Sequence, residues 1–505
     1  MKKLTITLLL LAFAKIGLGQ LQLTGTVTGA QKSGYVELYH PFDDSYKGTL
    51  RHEIPMRSTL DNRGNFKFNV KQRQQQFMVL RYNGTERYLL LSPDKAVSVN
   101  IINGEVTSPT NALVQWMLNN GVNDSTLIVN HLQEYKKWSP DSLLKVMLPA
   151  VKLELQTSLK GLDGLKISEA NKTLLNTELR YYYANRLLEH SMNIVRNTRK
   201  ATLKNFDDAD AINSIIKFPT AVQLKNSPNA NTYLHYYAVR YFTQAGLKMR
   251  IEPSKMNTFI EQATDMPTDT VKRLTQSFGE EYLVVLLAKK QLPAYAHEKL
   301  IANMVLHYSA TKDLKFAKGL MTDLAANYPK SVWLTSVNFK VKQLANELAE
   351  AEKNKNIVFL GNADQITTVA QLVAPYKGKI VYLDFWGTWC GPCMQEIINY
   401  STPLKEHFKN KDVVFLYLEM DYDSYNDELK WKEFAKLHNM DGYHVRMNQK
   451  QIEKIWEDLL HTQNVPRLYP TYAIFDRQGN AINKNAKNPS DGEVLYKDLE
   501  AALNK

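Results

Sequence analysis

The chain has 505 residues, 44% hydrophobic and 23% charged, the make-up of an ordinary globular protein with material for two to four domains; a disordered or fibrous chain is excluded. Its formal net charge of +12 is scattered among acidic residues with no dense Lys/Arg block, so the surface reads as solvated and not as a nucleic-acid face. The only two cysteines are Cys390 and Cys393, which excludes a fold stapled by scattered disulfides.

At the start, Met1-Lys2-Lys3, the apolar run Leu4 to Ala14 and the small-residue end Gly17-Leu18-Gly19 read as a secretory signal over 1–19, cleaved before Gln20. An uncleaved N-terminal anchor is the alternative, although the run is short for a bilayer. No Cys lies near the cleavage site to carry a lipid, and no later stretch is apolar for long enough to span a membrane. Residues 1–19 hold three lysines and no acid, so their removal lowers the charge from +12 to +9.

From 20 to 108 the apolar residues alternate: Leu23 to Val27, Tyr35 to Tyr39, Phe66 to Val70, Phe77 to Tyr82, Tyr88 to Leu91 and Val97 to Ile102. Turn clusters at Asp61 to Gly64, Asn83-Gly84 and Ser92 to Asp94 separate them, which predicts a small antiparallel β-sandwich acting as scaffold or docking module.

From 109 to 352 the period becomes helical, with segments Ser142 to Leu159, Ser168 to Arg196, Ala230 to Gln244, Pro267 to Lys290, Ala294 to His307, Leu314 to Asn327 and Ser331 to Glu350. Asp124-Ser125, Ser139-Pro140-Asp141, Ser168, Asp208 and Ser331 are candidate helix starts. The pattern predicts an all-α region of packed hairpins with no fixed repeat. One corner, Asn327 to Ser331, resembles a tetratricopeptide turn. Tyr181-Tyr182-Tyr183 and Tyr236-Tyr237, with Tyr241 and Phe242, are expected to pack at a core or seam, a peptide-binding groove being the alternative; consecutive tyrosines cannot all face one core, so some are expected to be exposed or at a domain seam. His297-Glu298 lacks the second histidine that a zinc-protease helix needs.

A charged stretch, Glu347 to Asn356, leads into the last region, 353–505. There the apolar run Lys379 to Trp386 precedes Trp389-Cys390-Gly391-Pro392-Cys393, and the helix-compatible Met394 to Lys409 follows, placing the motif at a strand-to-helix junction. The first turn of a helix offers unsatisfied N–H groups and the positive end of the dipole, which favour a thiolate at Cys390; Cys393, one turn on, is placed to close a ring with it. A zinc site would need two more ligands from His407, His438, His444, His461 or acids without ligand-like spacing, so no metal is expected. Asp384 lies among apolar strand neighbours, where an ionised carboxylate is costly and its proton affinity rises; the alternative is a carboxylate capping a local hydrogen-bond network. Trp386 falls on the same strand face as Asp384 and is expected in the core, with Trp389 at the rim.

Residues 376–505 resemble the TlpA/ResA-like disulfide reductases of the bacterial cell envelope. The matching features are Lys377-Gly378-Lys379, Val381 to Trp386, the Trp389 to Cys393 motif, Glu396 and Tyr469-Pro470-Thr471. One departure is Ile398, where the family often has proline, leaving Pro403 to bend the helix. The resemblance implies an α/β thioredoxin-like fold for 353–505, after the all-α 109–352; the β-rich 20–108 resembles, by pattern, the β-rich N-terminal domains that often precede thioredoxin-like domains in secreted bacterial proteins. It implies a redox-active Cys390–Cys393 disulfide and no other cofactor. Cys390 would be the nucleophile, Asp384 the proton-exchanging acid behind Cys393, and Glu396 a proton shuttle, the last being otherwise an ordinary first-turn acid. Pro470 would be the cis proline, with Pro466 its competitor, and Trp389, Gly391, Pro392, Tyr469 and Pro470 would meet substrate. Gly-Pro between the cysteines is the thioredoxin pair, associated with about −270 mV, against about −120 mV for strong oxidants. Periplasmic reduction of disulfides in envelope proteins, recharged by a membrane thiol-transporting partner, is the function implied. The rival is a binding or assembly protein in which residues 20–350 do the work and the redox domain is accessory. The stretch Asn464 to Leu468 does not match the Gly-rich approach to the cis proline of cytochrome-maturation proteins.

Overall fold

The computed structural model describes residues 19–29, 34–39, 56–72, 75–83, 85–93, 95–120, 145, 147–198, 216–279, 282–361, 363–421, 428–460 and 468–504. Residues 1–18 of the expected signal, the helix starts Asp124-Ser125, Ser139-Pro140-Asp141 and Asp208, His461 and Pro466 lie outside them, as do the side chains of Tyr241 and Phe242. The chain divides into two compact units, Met1–Ala310 with Gly319–Leu334, and Thr311–Lys318 with Thr335–Lys505. Among the described residues no helix is long and apolar enough to cross a membrane.

In the first unit, β1 (Gly19–Thr28), β4 (Asn65–Gln72), β7 (Ala96–Ile102) and β8 (Glu105–Thr107) form one sheet in the order β4-β1-β7-β8. A second sheet, β3-β2-β5-β6, holds β2 (Tyr35–Tyr39), β3 (Met56–Thr59), β5 (Gln76–Tyr82) and β6 (Thr85–Leu91). Alternate residues of both sheets, among them Leu21, Leu23, Phe68, Val99, Leu38 and Leu80, share one core. Gly25 is required in β1, because a Cβ there would stand 2.4 Å from the Phe66 ring and from the Val99 carbonyl. The expectation of a wholly antiparallel sandwich is corrected at β1 and β7, which pair in parallel with Leu23 opposite Val97. A parallel pair needs a long crossover, and the intervening strands supply it.

The helices of this unit are not a separate body: Phe77 and Leu90 of the second sheet pack into the same cluster as Trp116, Leu155, Leu179 and Tyr233. Helix Glu169–Thr198 starts after Ser168, whose hydroxyl accepts the Asn171 N–H. The stretch from Pro267 to Lys290, read as one helix, is two, Thr268–Phe278 and Tyr282–Ala288, broken at Gly279 with φ +90°. The tyrosine triplet packs into the core, one of the placements expected for it. Tyr181, Tyr182 and Tyr183 are all buried, because their helix is enclosed on several sides: Tyr181 donates to the Lys217 carbonyl, Tyr183 meets Ser158 Oγ at 3.1 Å, and Tyr182 lies edge-on to Tyr183.

In the second unit, β9 (Ile357–Phe359), β10 (Ile380–Trp386), β11 (Val413–Asp421), β12 (Gly442–Asn448), β13 (Thr471–Phe475) and β14 (Ala481–Asn483) make one sheet in the order β14-β13-β10-β11-β12-β9. β9 to β12 run parallel; β13 is antiparallel to β10, and β14 to β13. Helices pack on both faces, so β10 is buried throughout: Ile380, Tyr382 and Trp386 on the face of the cysteines, Val381, Leu383 and Phe385 on the other. The contact boundary falls at Leu334, short of the 352 marked by the charged stretch, since Lys312 and Glu347 pair at 3.8 Å and Lys436 and Glu352 at 3.5 Å. Segment 311–318 belongs here too: Lys312 Nζ donates to the Leu437 carbonyl at 2.9 Å, and Asp313 pairs with Lys430 at 3.3 Å.

Glu178 is fully buried between helices, accepting from the Asn229 N–H and Nδ2, and burial pushes its carboxyl up to about 7. Between the unfolded value of 4.5 and about 7 the folded state holds the extra proton, so this group subtracts stability progressively as pH rises through that window. Glu178→Gln is expected to remove a loss of about 3 kcal/mol. Urea midpoints of the two proteins should diverge from pH 5 to pH 7 and then run parallel; midpoints with one common pH profile refute this.

Candidate active site

β10 ends at Trp386, and four residues later the chain enters helix Gly391–His407. Cys390 is the N-cap of that helix: its backbone is extended, its carbonyl accepts the Met394 N–H, and its Sγ accepts the Cys393 N–H at 3.2 Å. The two sulfurs are bonded to each other, with Cα atoms 5.3 Å apart. Cys390 and Cys393 are 4% and 1% exposed, whereas Gly391 and Pro392 lie on the surface. Pro392 sits where the missing N–H costs nothing. The helix continues through Pro403 to His407, with Ile398 exposed.

Asp384 is buried on the same strand face as Tyr382 and Trp386, and its Oδ1 has no hydrogen-bond partner among the described residues. Burial pushes its carboxyl well above the usual range, and the charge of Glu396 adds to the effect. Tyr472 is its cross-strand neighbour on β13 and stacks on Tyr382 at 5.3 Å. Glu396 is half-buried and clasped by one residue: Ser490 donates its N–H to Oε2 at 2.9 Å and its hydroxyl to Oε1 at 2.7 Å. Trp386 is fully buried as expected, and Trp389 is half-buried.

The Tyr469–Pro470 bond is cis. Tyr469 meets Trp389 edge-on at 5.2 Å and accepts from Trp456 Nε1 at 3.1 Å, so the proline turn and the cysteine loop share an aromatic contact. The structure therefore links Cys390, Cys393, Trp389 and Tyr469 by bonds or contacts, and Asp384 to Glu396 electrostatically.

The cysteine loop is also gripped by β11, which sequence reading missed. Trp389 Nε1 donates to the Met420 carbonyl at 2.8 Å, beside the buried Glu419. Glu419 faces Arg446 Nε at 3.6 Å, and Arg446 Nη2 reaches Asp421. The signal was present: Glu419 is an acid inside an apolar strand, as Asp384 is. Ser490 carried none, being brought to Glu396 from 94 positions away.

Gly387 leaves room for this arrangement, since a Cβ there would stand 2.4 Å from Trp389 Nε1 and 3.0 Å from the Met420 carbonyl. Gly387→Ala is expected to break the indole bond, shifting tryptophan emission to the red and raising the alkylation rate of reduced Cys390 about fivefold, the equivalent of one hydrogen bond. Unchanged emission and alkylation would show that the loop does not depend on this packing.

The Redoxin family pattern matches residues 340–503. Thiol-disulfide oxidoreductase ResA of Bacillus cereus is 31% identical over 129 residues, 26% of this chain and 64% of the relative. Thioredoxin of Coprinus comatus is 33% identical over 83 residues, 16% of this chain and 69% of the relative. The thioredoxin domain of a thiol-disulfide oxidoreductase from Bacteroides vulgatus is 22% identical with a TM-score of 0.22, covering 26% of this chain and 84% of that one. The chain thus spans just under two thirds of the length of the ResA proteins it matches. It belongs to the thioredoxin superfamily, through a C-terminal domain similar to ResA.

Proposed function

We propose that this chain is an exported, periplasmic protein-disulfide reductase working through the Cys390–Cys393 dithiol. The observation that carries the proposal is the bonded sulfur pair at the N-cap of helix Gly391–His407, just after a strand, β10, that carries a buried carboxyl. In the dithiol form the helix N–H groups favour a Cys390 thiolate. That thiolate attacks one sulfur of a substrate disulfide, and the other leaves as thiolate and takes a proton. Asp384, whose proton affinity is raised by burial, accepts the Cys393 proton in its ionised form, aided by Glu396. The Cys393 thiolate then attacks Cys390 Sγ and expels the second substrate thiol. Two electrons have moved to the substrate, and the pair returns to the bonded form. Trp389, Gly391, Pro392, Tyr469 and Pro470 form the rim that receives an extended substrate segment.

The Gly-Pro pair supports the reducing direction. Since the periplasm is oxidising, the dithiol is recharged by a membrane thiol-transporting partner, and the substrates are disulfide-bearing envelope proteins.

Reduction of insulin by the dithiol form is expected and should vanish in Cys390→Ser. Cys393→Ser should accumulate mixed disulfides on Cys390, visible on non-reducing gels; no trapped species sinks the order of attack. Asp384→Asn should slow turnover at neutral pH on the order of 10²-fold. It should also raise the urea midpoint above pH 4, because a carboxyl with a raised folded pKa subtracts stability once pH passes its unfolded value of 3.8. If the double variant Cys390→Ser/Cys393→Ser captures the same partners noncovalently and supports growth equally, binding by residues 20–350 is the function instead.

A further inference from the structure

Glu396 is held by a segment that is itself tied to the strands around Asp384. Tyr382, two residues before Asp384 on the same face of β10, stacks on Tyr472, the cross-strand neighbour of Asp384. The Tyr382 hydroxyl donates to the Lys487 carbonyl at 2.7 Å, and the Tyr472 carbonyl accepts the Ala486 N–H at 2.8 Å. The chain then makes one tight turn, Pro489–Asp491, in which Pro489 is buried and the Asp491 carboxylate accepts the Asn488 N–H at 2.9 Å. In the middle of that turn Ser490 presents two donors to Glu396, its N–H to Oε2 at 2.9 Å and its hydroxyl to Oε1 at 2.7 Å. Residues 486–491 thus bridge the strands that flank the buried carboxyl and the helix that carries the cysteines.

We propose that Ser490 is a positioning residue of the exchange reaction: by gripping both oxygens of Glu396 it fixes that carboxylate one helical turn from Cys393, where it serves removal of the Cys393 proton. The inference rests on the thiol-disulfide reading above and names what holds one of its acids in place. Glu396 follows Cys393 by three residues and shares its helix face, and Cys393 packs in one cluster with Tyr382 and Tyr472. A half-buried glutamate left to itself samples several rotamers, most of them turned to solvent, and holding one of them costs side-chain entropy. Hydrogen bonds to both charged oxygens offset that cost, and a short serine in a fixed turn adds little cost of its own. Among the described residues Ser490 makes no hydrogen bond to either cysteine. It therefore acts through Glu396, on the attack by Cys393 and not on the earlier attack by Cys390.

The test separates the two attacks. The reduced full chain, freed of reductant, is mixed at neutral pH with excess dithiobis(nitrobenzoate), and the coloured thionitrobenzoate anion is followed by absorbance. The Cys390 thiolate breaks the reagent disulfide, forms a mixed disulfide and expels the first anion; the Cys393 thiolate then attacks Cys390 Sγ and expels the second. Two electrons pass to the reagent, the Cys390–Cys393 bond forms, and the two thiol protons go to buffer. Ser490→Ala should leave the first release within about twofold of wild type and slow the second about fivefold, the equivalent of one hydrogen bond. Ser490→Thr, which keeps both donors, should restore the second release. In a Glu396→Gln background, Ser490→Ala should slow the second release no further, because the two residues act as one unit. A second release within about twofold of wild type in Ser490→Ala overturns the proposal, as does an equal slowing by Ser490→Ala with and without Glu396. Circular dichroism reports folding; if Ser490→Ala does not fold, Tyr382→Phe, which frees the Lys487 carbonyl, decides by the same slowing of the second release or its absence. A wild type that releases both anions but reduces no insulin defeats the reductase reading and leaves the Ser490 comparison standing.

Discussion

A carboxylic acid in the middle of a strand that is covered on both faces is the constraint on which the second unit turns. β10 has no exposed position, so Asp384 has no route to water and keeps its proton far above the usual range. The same enclosure makes the strand rigid, and its end fixes where the next helix begins. Sulfur chemistry and fold are thus joined at one point: the residue that caps the helix is the residue that carries the bond to be exchanged.

Surrounding contacts serve that point from different parts of the chain. Ser490 holds both oxygens of Glu396, Tyr469 presses against Trp389, and β11 fastens the loop from below. Each is a hydrogen bond or ring contact worth about 1 kcal/mol. Together they decide which way the cysteine loop faces and keep the paired sulfurs sheltered.

Much of this was legible in the amino-acid order, for physical reasons that differ from element to element. Residues Val381 to Trp386 declare a buried strand by unbroken apolar character, and Asp384 stands out against it. Period-two alternation from Leu21 to Ile102 marks the strands but says nothing of their direction, so the parallel partnership of β1 and β7 was invisible. Gly279 splits a helix because only its backbone adopts φ +90° with ease, whereas the surrounding pattern stays helical on both sides. Tyr181 to Tyr183 all point inward because their helix is enclosed by several neighbours at once, a crowding that the triplet announces only as core or seam. Ser490 and Arg446 approach their acids from elsewhere in the sequence, and no local pattern signals a meeting of that kind.

The second unit is assembled from two stretches of chain, with 311–318 contributed ahead of the main run from 335. Lys312 and Asp313 satisfy the Leu437 carbonyl and Lys430 from that early stretch. A polypeptide trimmed to begin at 353 would keep every sulfur and acid of the exchange centre and yet lose these two tethers, leaving the end of helix Glu428–Leu437 frayed. Autonomy of the redox portion is therefore a question of splicing the short upstream piece back in.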